Sequence, residues 1–172
     1  MIFSRFAMTH NPEHTAAHEL GHVFGLLHEH QRPDRDSWVG YNCRNVVGYR
    51  DAVARARAGG YTEDELCNRP GVAQYYGWGG SEFVKLPATD SEILTPYDFF
   101  SIMHYDSRHG ADDAIFASDP TNALLYPMYG YNEAGDEAHF LPLHGGLPYP
   151  HFTISAGDAI TIRAIYPFYP ES

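Results

Sequence analysis

Three histidines in the first 30 residues have the types and spacing of a metal site. His18 and His22 are one helical turn apart, so both imidazoles lie on one face of a helix and can reach one ion. His28 follows six residues later, and in a continuing helix it would point away from that face. Gly25 can adopt a positive φ, end the helix and fold the chain back. We therefore expect His28 to complete a three-histidine site.

A site of three histidines with an open coordination position is typical of catalytic rather than structural zinc. Glu19 lies between the first two histidines, turned too far to be an easy ligand but able to reach a water on the ion. The sequence thus predicts one Zn²⁺ per chain, with Glu19 beside the water bound to it. Two neighbouring histidines, His14 on the same helical stripe and His30 beside the third ligand, are interpreted as bystanders.

Two further segments extend the metal motif to a family resemblance. Residues 28–36 read HEHQRPDRD and match the pattern H-E-x-x-R-x-D-R-D. Residues 101–105 read SIMHY and match the S-x-M-H-Y Met-turn. With these motifs the chain resembles the astacin family of zinc endopeptidases, which are metzincins, from about Glu13 to Tyr166.

The resemblance implies roles for individual residues. His18, His22 and His28 would bind zinc, and Glu19 would act as general base and acid. Met103 would form the hydrophobic floor under the metal. Tyr105 would be a further zinc ligand that swings off and stabilises the oxyanion. Glu29 matches the acidic residue that helps to anchor the processed N-terminus in the family.

The resemblance also implies protein or peptide substrates and a secreted, extracellular location. Residues 1–8 lack the sustained apolar stretch of a signal peptide. Only 17 residues precede His18, too few for the sheet that metzincins place there. We therefore expect an N-terminally truncated chain, with most of the N-terminal sheet missing.

Several elements must position these residues. A helix is expected from Pro12, with Asn11 as its N-cap and an apolar side of Ala16, Ala17, Leu20, Val23 and Phe24. Residues 39–43 alternate like a short strand, and 45–58 read as a second helix. Capping-box patterns at Thr62 and Ser155 begin a short third helix and a C-terminal helix that ends near Ile165. Most of 77–96 and 106–152 reads as irregular.

Composition excludes several classes of protein. The 172 residues, 44% hydrophobic and 19% charged, are sufficient for one folded domain spanning 1–172. A net charge of −11 without clustered Lys or Arg argues against nucleic acid or an anionic membrane as partner. We expect a helix-dominated α+β fold, namely a metzincin-like catalytic domain built mainly of the active-site helix and a helical and irregular C-terminal subdomain.

Two questions stay open at the level of sequence. Cys43 and Cys67 could be joined or be buried free thiols, and secretion would favour the bond. The chain could be a zinc endopeptidase, a zinc-binding but catalytically inactive interaction module, or a metal-free domain. The sequence does not reveal the substrate's side-chain preference.

Overall fold

A mixture of helices and a small antiparallel sheet surrounds the predicted site. The computed structural model describes residues 12–89, 92–131, 138–141 and 154–167. Within these ranges the α-helices are α1 (Pro12–Val23), α2 (Tyr49–Ala58), α3 (Glu63–Asn68), α4 (Pro70–Tyr75), α5 (Asp113–Phe116) and α6 (Ala156–Ile165). The strands are β1 (Val39–Tyr41), β2 (Met128–Tyr131) and β3 (Ala138–His139). This composition agrees with the expected α+β class.

Helix α1 begins at Pro12, as predicted, while Asn11 lies outside the described residues. The helix ends at Val23, and Gly25 with φ +88° turns the chain back. Gly21 is the one buried residue of α1, because the helix presents its histidine face to the protein. Most of the predicted apolar side, namely Leu20, Val23 and Phe24, is exposed.

For the helices in the middle of the chain, capping residues predict the first helical residue better than the apolar pattern does. The second helix begins at Tyr49 and not at position 45 as predicted, because residues 43–45 form a 3₁₀ turn and Gly48 has φ +76°. Helix α3 has the expected capping box, in which Thr62 and Glu65 exchange hydrogen bonds of 2.9 and 3.1 Å. Helix α4 was not predicted; Pro70 occupies its first turn.

The sheet has the order β1-β2-β3 with both pairings antiparallel. Strands β2 and β3 lie in the segment that the sequence predicts to be mostly irregular, and these two short strands were not predicted. Gly40 on β1 lies opposite Tyr129 on β2. A Cβ at Gly40 would lie within 2.6 Å of the Tyr129 ring, so glycine allows the ring to cover β1.

Two apolar clusters support the fold. The larger one joins the sheet to α2, α3 and α4 through residues that include Val39, Ala52, Leu66, Ala73 and Met128. Cys43 and Cys67 form a disulfide beside this cluster, with Cα atoms 5.8 Å apart. The smaller cluster contains Leu26, Ile102 and Met103, with Ala17 and Ile162 packed against it. Across the part of the chain that the structure describes, no helix has the length and apolar character to cross a membrane.

Candidate metal centre

The structure brings the three predicted histidines together at one point. His28 Nε2 lies 3.1 Å from His18 Nε2 and 3.2 Å from His22 Nε2. The first two residues come from α1, and the third follows the turn at Gly25. Among the described residues these three form a group of potential ligands whose atoms all lie within 4.8 Å of one another.

Hydrogen bonds at the far side of each ring fix the tautomers. His18 Nδ1 donates to the Ile102 carbonyl at 2.8 Å, and His22 Nδ1 donates to the Leu26 carbonyl at 3.0 Å. His28 Nδ1 donates to Gln31 Oε1 at 3.0 Å. Since each acceptor is an oxygen, each Nδ1 carries the proton and each Nε2 keeps its lone pair.

Three lone pairs that face one another at about 3 Å repel unless a cation lies between them. Three nitrogens around one tetrahedral zinc ion, each at about 2.0–2.1 Å from it, would be about 3.3 Å apart. The observed spacing fits that donor set. Burial lowers the pKa of His18, and it lowers the pKa of His28 to about 4. Both rings are therefore neutral at physiological pH, as metal ligands must be.

Glu19 is half-buried on α1, next to the first histidine. It has no hydrogen-bond partner among the described residues, so its carboxylate is available for a water or a substrate. Its negative charge acts on both His18 and Tyr105, raising the pKa of each, although burial has the larger effect on both. Glu19 therefore lies next to the first histidine, and the general-base role expected of it stays a prediction.

The 101–105 turn packs against α1 and reaches the first histidine. Met103 is 1% exposed and packs directly against α1 at Gly21, where a Cβ would be 2.5 Å from the methionine sulfur. The Met103 carbonyl accepts the Glu29 N–H at 3.2 Å. The turn therefore contacts α1 through Met103, the His18 ring through a carbonyl, and the chain after the third histidine through a second carbonyl.

Asp158, the residue that completes the capping box predicted at Ser155, also bonds to the 101–105 turn. Besides closing the capping box of α6, its buried carboxylate accepts Ser101 Oγ–H at 2.6 Å and the Ile102 N–H at 2.9 Å. Ile102 in turn accepts the Nδ1 proton of His18. The capping-box pattern located this residue, but no sequence signal showed that it reaches the 101–105 turn.

Tyr105 lies beside the histidines, and its hydroxyl is directed to an acidic side chain. Its ring centroid is 4.7 Å from that of His28 and 6.4 Å from that of His18. The hydroxyl donates to Glu82 Oε2 at 3.5 Å. Burial, followed by the charge of Glu82, raises the pKa of the phenol, so the hydroxyl keeps its proton near neutral pH.

The two histidines interpreted as bystanders lie outside the converging group. His30 is fully buried; its Nε2 donates to the Glu82 carbonyl at 3.0 Å and its Nδ1 accepts the Tyr105 N–H at 3.4 Å. His14 has its ring centroid 6.3 Å from that of His18. His30 thus has a structural role that the sequence did not predict.

The residues that follow the third histidine form an ionic network. Arg32 donates to Glu29 Oε1 at 2.8 Å and binds both carboxylate oxygens of Asp34. Glu29 also accepts the Asp98 N–H at 2.8 Å. Burial raises the pKa of Glu29, against the opposing effects of that N–H and of the arginine. The network ties the metal segment to the chain that leads into the 101–105 turn.

Comparisons with known proteins agree with this geometry. The family model for Astacin, a family of peptidases, matches residues 10–57, which include all three histidines and Glu19. Astacin-like metalloprotease toxin 2 of Loxosceles intermedia is 30% identical over 117 residues, covering 65% of this chain and 34% of that protein. Zinc metalloproteinase nas-26 of Caenorhabditis elegans is 32% identical over 109 residues, covering 63% of this chain and 20% of that protein.

Two further proteins are similar to this chain, and the matched part is a different share of the length of each. Bone morphogenetic protein 1 of Xenopus laevis is 37% identical over 116 residues, which are 67% of this chain and 12% of that protein. High choriolytic enzyme 1, a hatching enzyme zinc-protease of Oryzias latipes, has a TM-score of 0.47 at 22% identity and covers 89% of this chain and 52% of that chain. The matched part thus spans about a third or less of the three sequence relatives. The match to the Astacin family model at residues 10–57 and these sequence identities support the assignment of the chain to the astacin family of peptidases.

Proposed function

We propose that this chain carries the catalytic site of a zinc-dependent endopeptidase. The observation that supports this most strongly is the convergence of three Nε2 lone pairs beside an available Glu19 carboxylate. His18, His22 and His28 would hold one Zn²⁺. When bound, zinc supplies an acidic water and an electrophilic contact for a carbonyl oxygen.

Glu19 provides the proton transfers that peptide hydrolysis requires. It accepts a proton from the attacking water and then delivers that proton to the leaving nitrogen of the scissile bond. No covalent intermediate is needed, so neither cysteine has a part in the reaction. The protonated Tyr105 hydroxyl is the donor that would stabilise negative charge on the scissile carbonyl oxygen.

The test compares the chain with a Glu19→Ala variant at equal zinc content, using a quenched fluorescent peptide library. We expect cleavage by the parent chain and a loss of about 10²- to 10⁴-fold in the variant. Glu13→Ala, which removes a carboxylate from the exposed start of the same helix, is the matched control and should retain activity. Equal, absent cleavage in parent and variant would contradict the proposal.

Metal content provides a second, independent test. The parent chain should bind about one zinc ion, and His22→Ala should lose it because two imidazoles alone leave the site incomplete. Elemental analysis after gel filtration measures the ratio. Stoichiometric zinc in the variant would contradict the ligand assignment.

A zinc-binding interaction module is the second candidate function. It is favoured by three exposed apolar residues next to the site, Leu20 and Val23 on α1 and Phe24 directly after it, which are 53%, 66% and 43% exposed. Zinc binding without cleavage, together with a loss of partner binding in a Val23→Asp variant, would support this alternative.

We also propose that the chain works outside the cytosol on protein or peptide substrates. The Cys43–Cys67 disulfide supports this location, since such bonds persist in oxidising compartments. Thiol titration of the denatured, unreduced protein isolated from its source should find no free thiol; two free thiols would contradict the proposal.

A further inference from the structure

Tyr105 stacks on two histidines, His109 and His30, that have no part in the catalytic proposal. The ring of His109 stacks on that of Tyr105 with centroids 3.6 Å apart and planes 25° apart. His30 also stacks on Tyr105, at 4.2 Å and 28°. Two imidazole rings therefore restrict the plane in which the phenol lies.

Glu82 restricts the position of the hydroxyl within that plane. Its Oε2 accepts the Tyr105 O–H at 3.5 Å and lies 3.6 Å from His109 Nε2. The same carboxylate oxygen therefore contacts the phenol and the imidazole that stacks on it. These side chains form a closed group of three, which we call the tyrosine clamp: Glu82, Tyr105 and His109.

The backbone on both sides of the clamp is fixed by one buried side chain. His30 donates to the carbonyl of Glu82 and accepts the N–H of Tyr105. The 3₁₀ turn that carries Glu82, residues 79–83, is also bound through the Phe83 carbonyl to Arg35 at 2.5 Å. The backbone that carries the Glu82 carboxylate is thus fixed by these hydrogen bonds, so the carboxylate can hold Tyr105 and His109 in place.

We propose that Glu82 and His109 are positioning residues that set where the Tyr105 hydroxyl stands relative to the histidine site. This inference rests on the proposed function for its catalytic meaning, because the hydroxyl must reach a carbonyl oxygen at that site. The clamp holds the phenol towards Glu82 until the hydroxyl is drawn to another acceptor. The strength of the clamp therefore sets the fraction of time in which the Tyr105 hydroxyl can reach another acceptor.

The direct test uses metal-free protein labelled with 3-fluorotyrosine and observed by fluorine NMR. The resonance that disappears in Tyr105→Phe is that of Tyr105. We expect His109→Ala to shift this resonance, because the ring that stacks on the phenol is gone, and Glu82→Ala to shift it because the hydroxyl loses its acceptor. His109→Phe retains an aromatic ring, so its Tyr105 resonance should lie close to the position in the parent protein.

Fold and specificity are controlled within the same spectra. Both side chains are substantially exposed, 43% for His109 and 56% for Glu82, so the variants should fold and the other tyrosine resonances should stay in place. Asp51→Ala, which removes the exposed Asp51–Arg55 pair on α2, is the matched control and should leave Tyr105 unshifted. An unshifted Tyr105 resonance in His109→Ala would overturn the proposal.

Kinetics then separate positioning from support of the fold. In the zinc-loaded protein, loss of either clamp residue should change kcat by about 1.4- to 5-fold, the effect of one exposed charged pair, with KM unchanged. A change confined to KM would overturn the catalytic part of the proposal. Because the fluorine measurement needs neither metal nor activity, it distinguishes failure of the clamp from failure of the proposed peptidase function.

Discussion

The three histidines are oriented by acceptors that carry no net charge. Two are backbone carbonyls, of Leu26 and Ile102, and the third is the side-chain amide of Gln31. A carboxylate in such a position raises the basicity of the ligand and offsets part of the charge of the metal. Neutral acceptors leave that charge available to acidify a bound water.

Gln31 is the one acceptor of the three that belongs to a side chain, so a substitution can remove it together with its bond to the Val84 carbonyl. Gln31→Ala should weaken zinc binding by about 10- to 100-fold, since the ring of His28 loses its orienting partner. Competition with a zinc chelator measures the affinity. Gln74→Ala, an exposed glutamine on α4, is the control and should bind zinc like the parent. Equal affinity in both variants would contradict the orienting role.

The stability of the metal-free chain should fall in mild acid. The pKa of His28 is about 4 in the folded protein against 6.5 as the ordinary value, so the unfolded chain binds more protons between these limits. The contribution of His28 to the free energy of unfolding is therefore fully present above about pH 6.5 and is lost as the pH falls towards 4. The expected loss from this one group is up to about 3 kcal/mol.

Urea unfolding of the metal-free protein between pH 4 and 8 measures this dependence. His28→Gln, which cannot titrate, should show a flatter curve over the same range. His18 and His30, whose pKa values burial also lowers, keep some slope in that variant. A variant curve as steep as that of the parent would show that His28 does not titrate as described.

The spacing of the histidines was sufficient to predict which residues converge, because one helix and one glycine turn determine it. The acceptors behind them could not be predicted in the same way. A backbone carbonyl has no residue type, so nothing in the identities of Leu26 and Ile102 marks them as partners. Glu82 was missed because its link to Tyr105 depends on a 3₁₀ turn distant in sequence.

At the scale of elements, the two capping boxes of the chain provide a matched comparison. Glu65 closes the box of α3 and bonds only within that exposed region, whereas Asp158 closes the box of α6 and also holds the 101–105 turn. Glu65→Ala should lower stability only slightly and leave zinc affinity unchanged, because the hydrogen bonds of this side chain are exposed. Asp158→Ala should cost more and also weaken zinc binding.

Thermal unfolding and chelator competition on the two variants test this comparison. The expected loss for Asp158→Ala is about 2–4 kcal/mol, because two buried donors lose a charged acceptor in addition to the cap. A normal zinc affinity in this variant would show that the orientation of the His18 ring does not depend on the bonds from Asp158 on α6.

Capping chemistry predicted elements better than apolar periodicity did. The helices that begin after Thr62 and Ser155 were predicted because a cap is a local signal. The start of α2 was predicted too early, since Gly48 with positive φ interrupts an otherwise helical pattern. Strands β2 and β3 were missed because strands of four and two residues depend on their partners and not on their own sequence.

At the scale of the whole molecule, the disulfide and the histidine site support different clusters. Cys43 and Cys67 lie beside the larger cluster, while the histidines lie over the smaller one. The double variant Cys43→Ser and Cys67→Ser should lose about 3 kcal/mol, since the bond closes a loop with a separation of 24 residues. Its zinc affinity should match that of the parent.

Guanidinium unfolding and chelator competition test this separation, with the disulfide-bonded parent as the reference and the reduced parent as a control that should behave like the double variant. A joint loss of stability and zinc affinity would show that the two clusters are coupled. The expectation that residues 1–172 form one domain stays a prediction; the matched part covers about a third or less of the relatives' lengths.

The bond between Asp158 and the 101–105 turn has a consequence for the order of folding. The histidines are close in sequence, but His18 takes its orienting carbonyl from 84 residues away, and that turn is held by a carboxylate 56 residues further on. Contacts of such separation form late, after most of the chain entropy has been lost. The ribosome must release α6 before the His18 ring is fixed. Until α6 has emerged, the nascent chain lacks the carboxylate that holds the 101–105 turn, so we expect its three imidazoles to bind a metal ion more weakly than those of the folded protein.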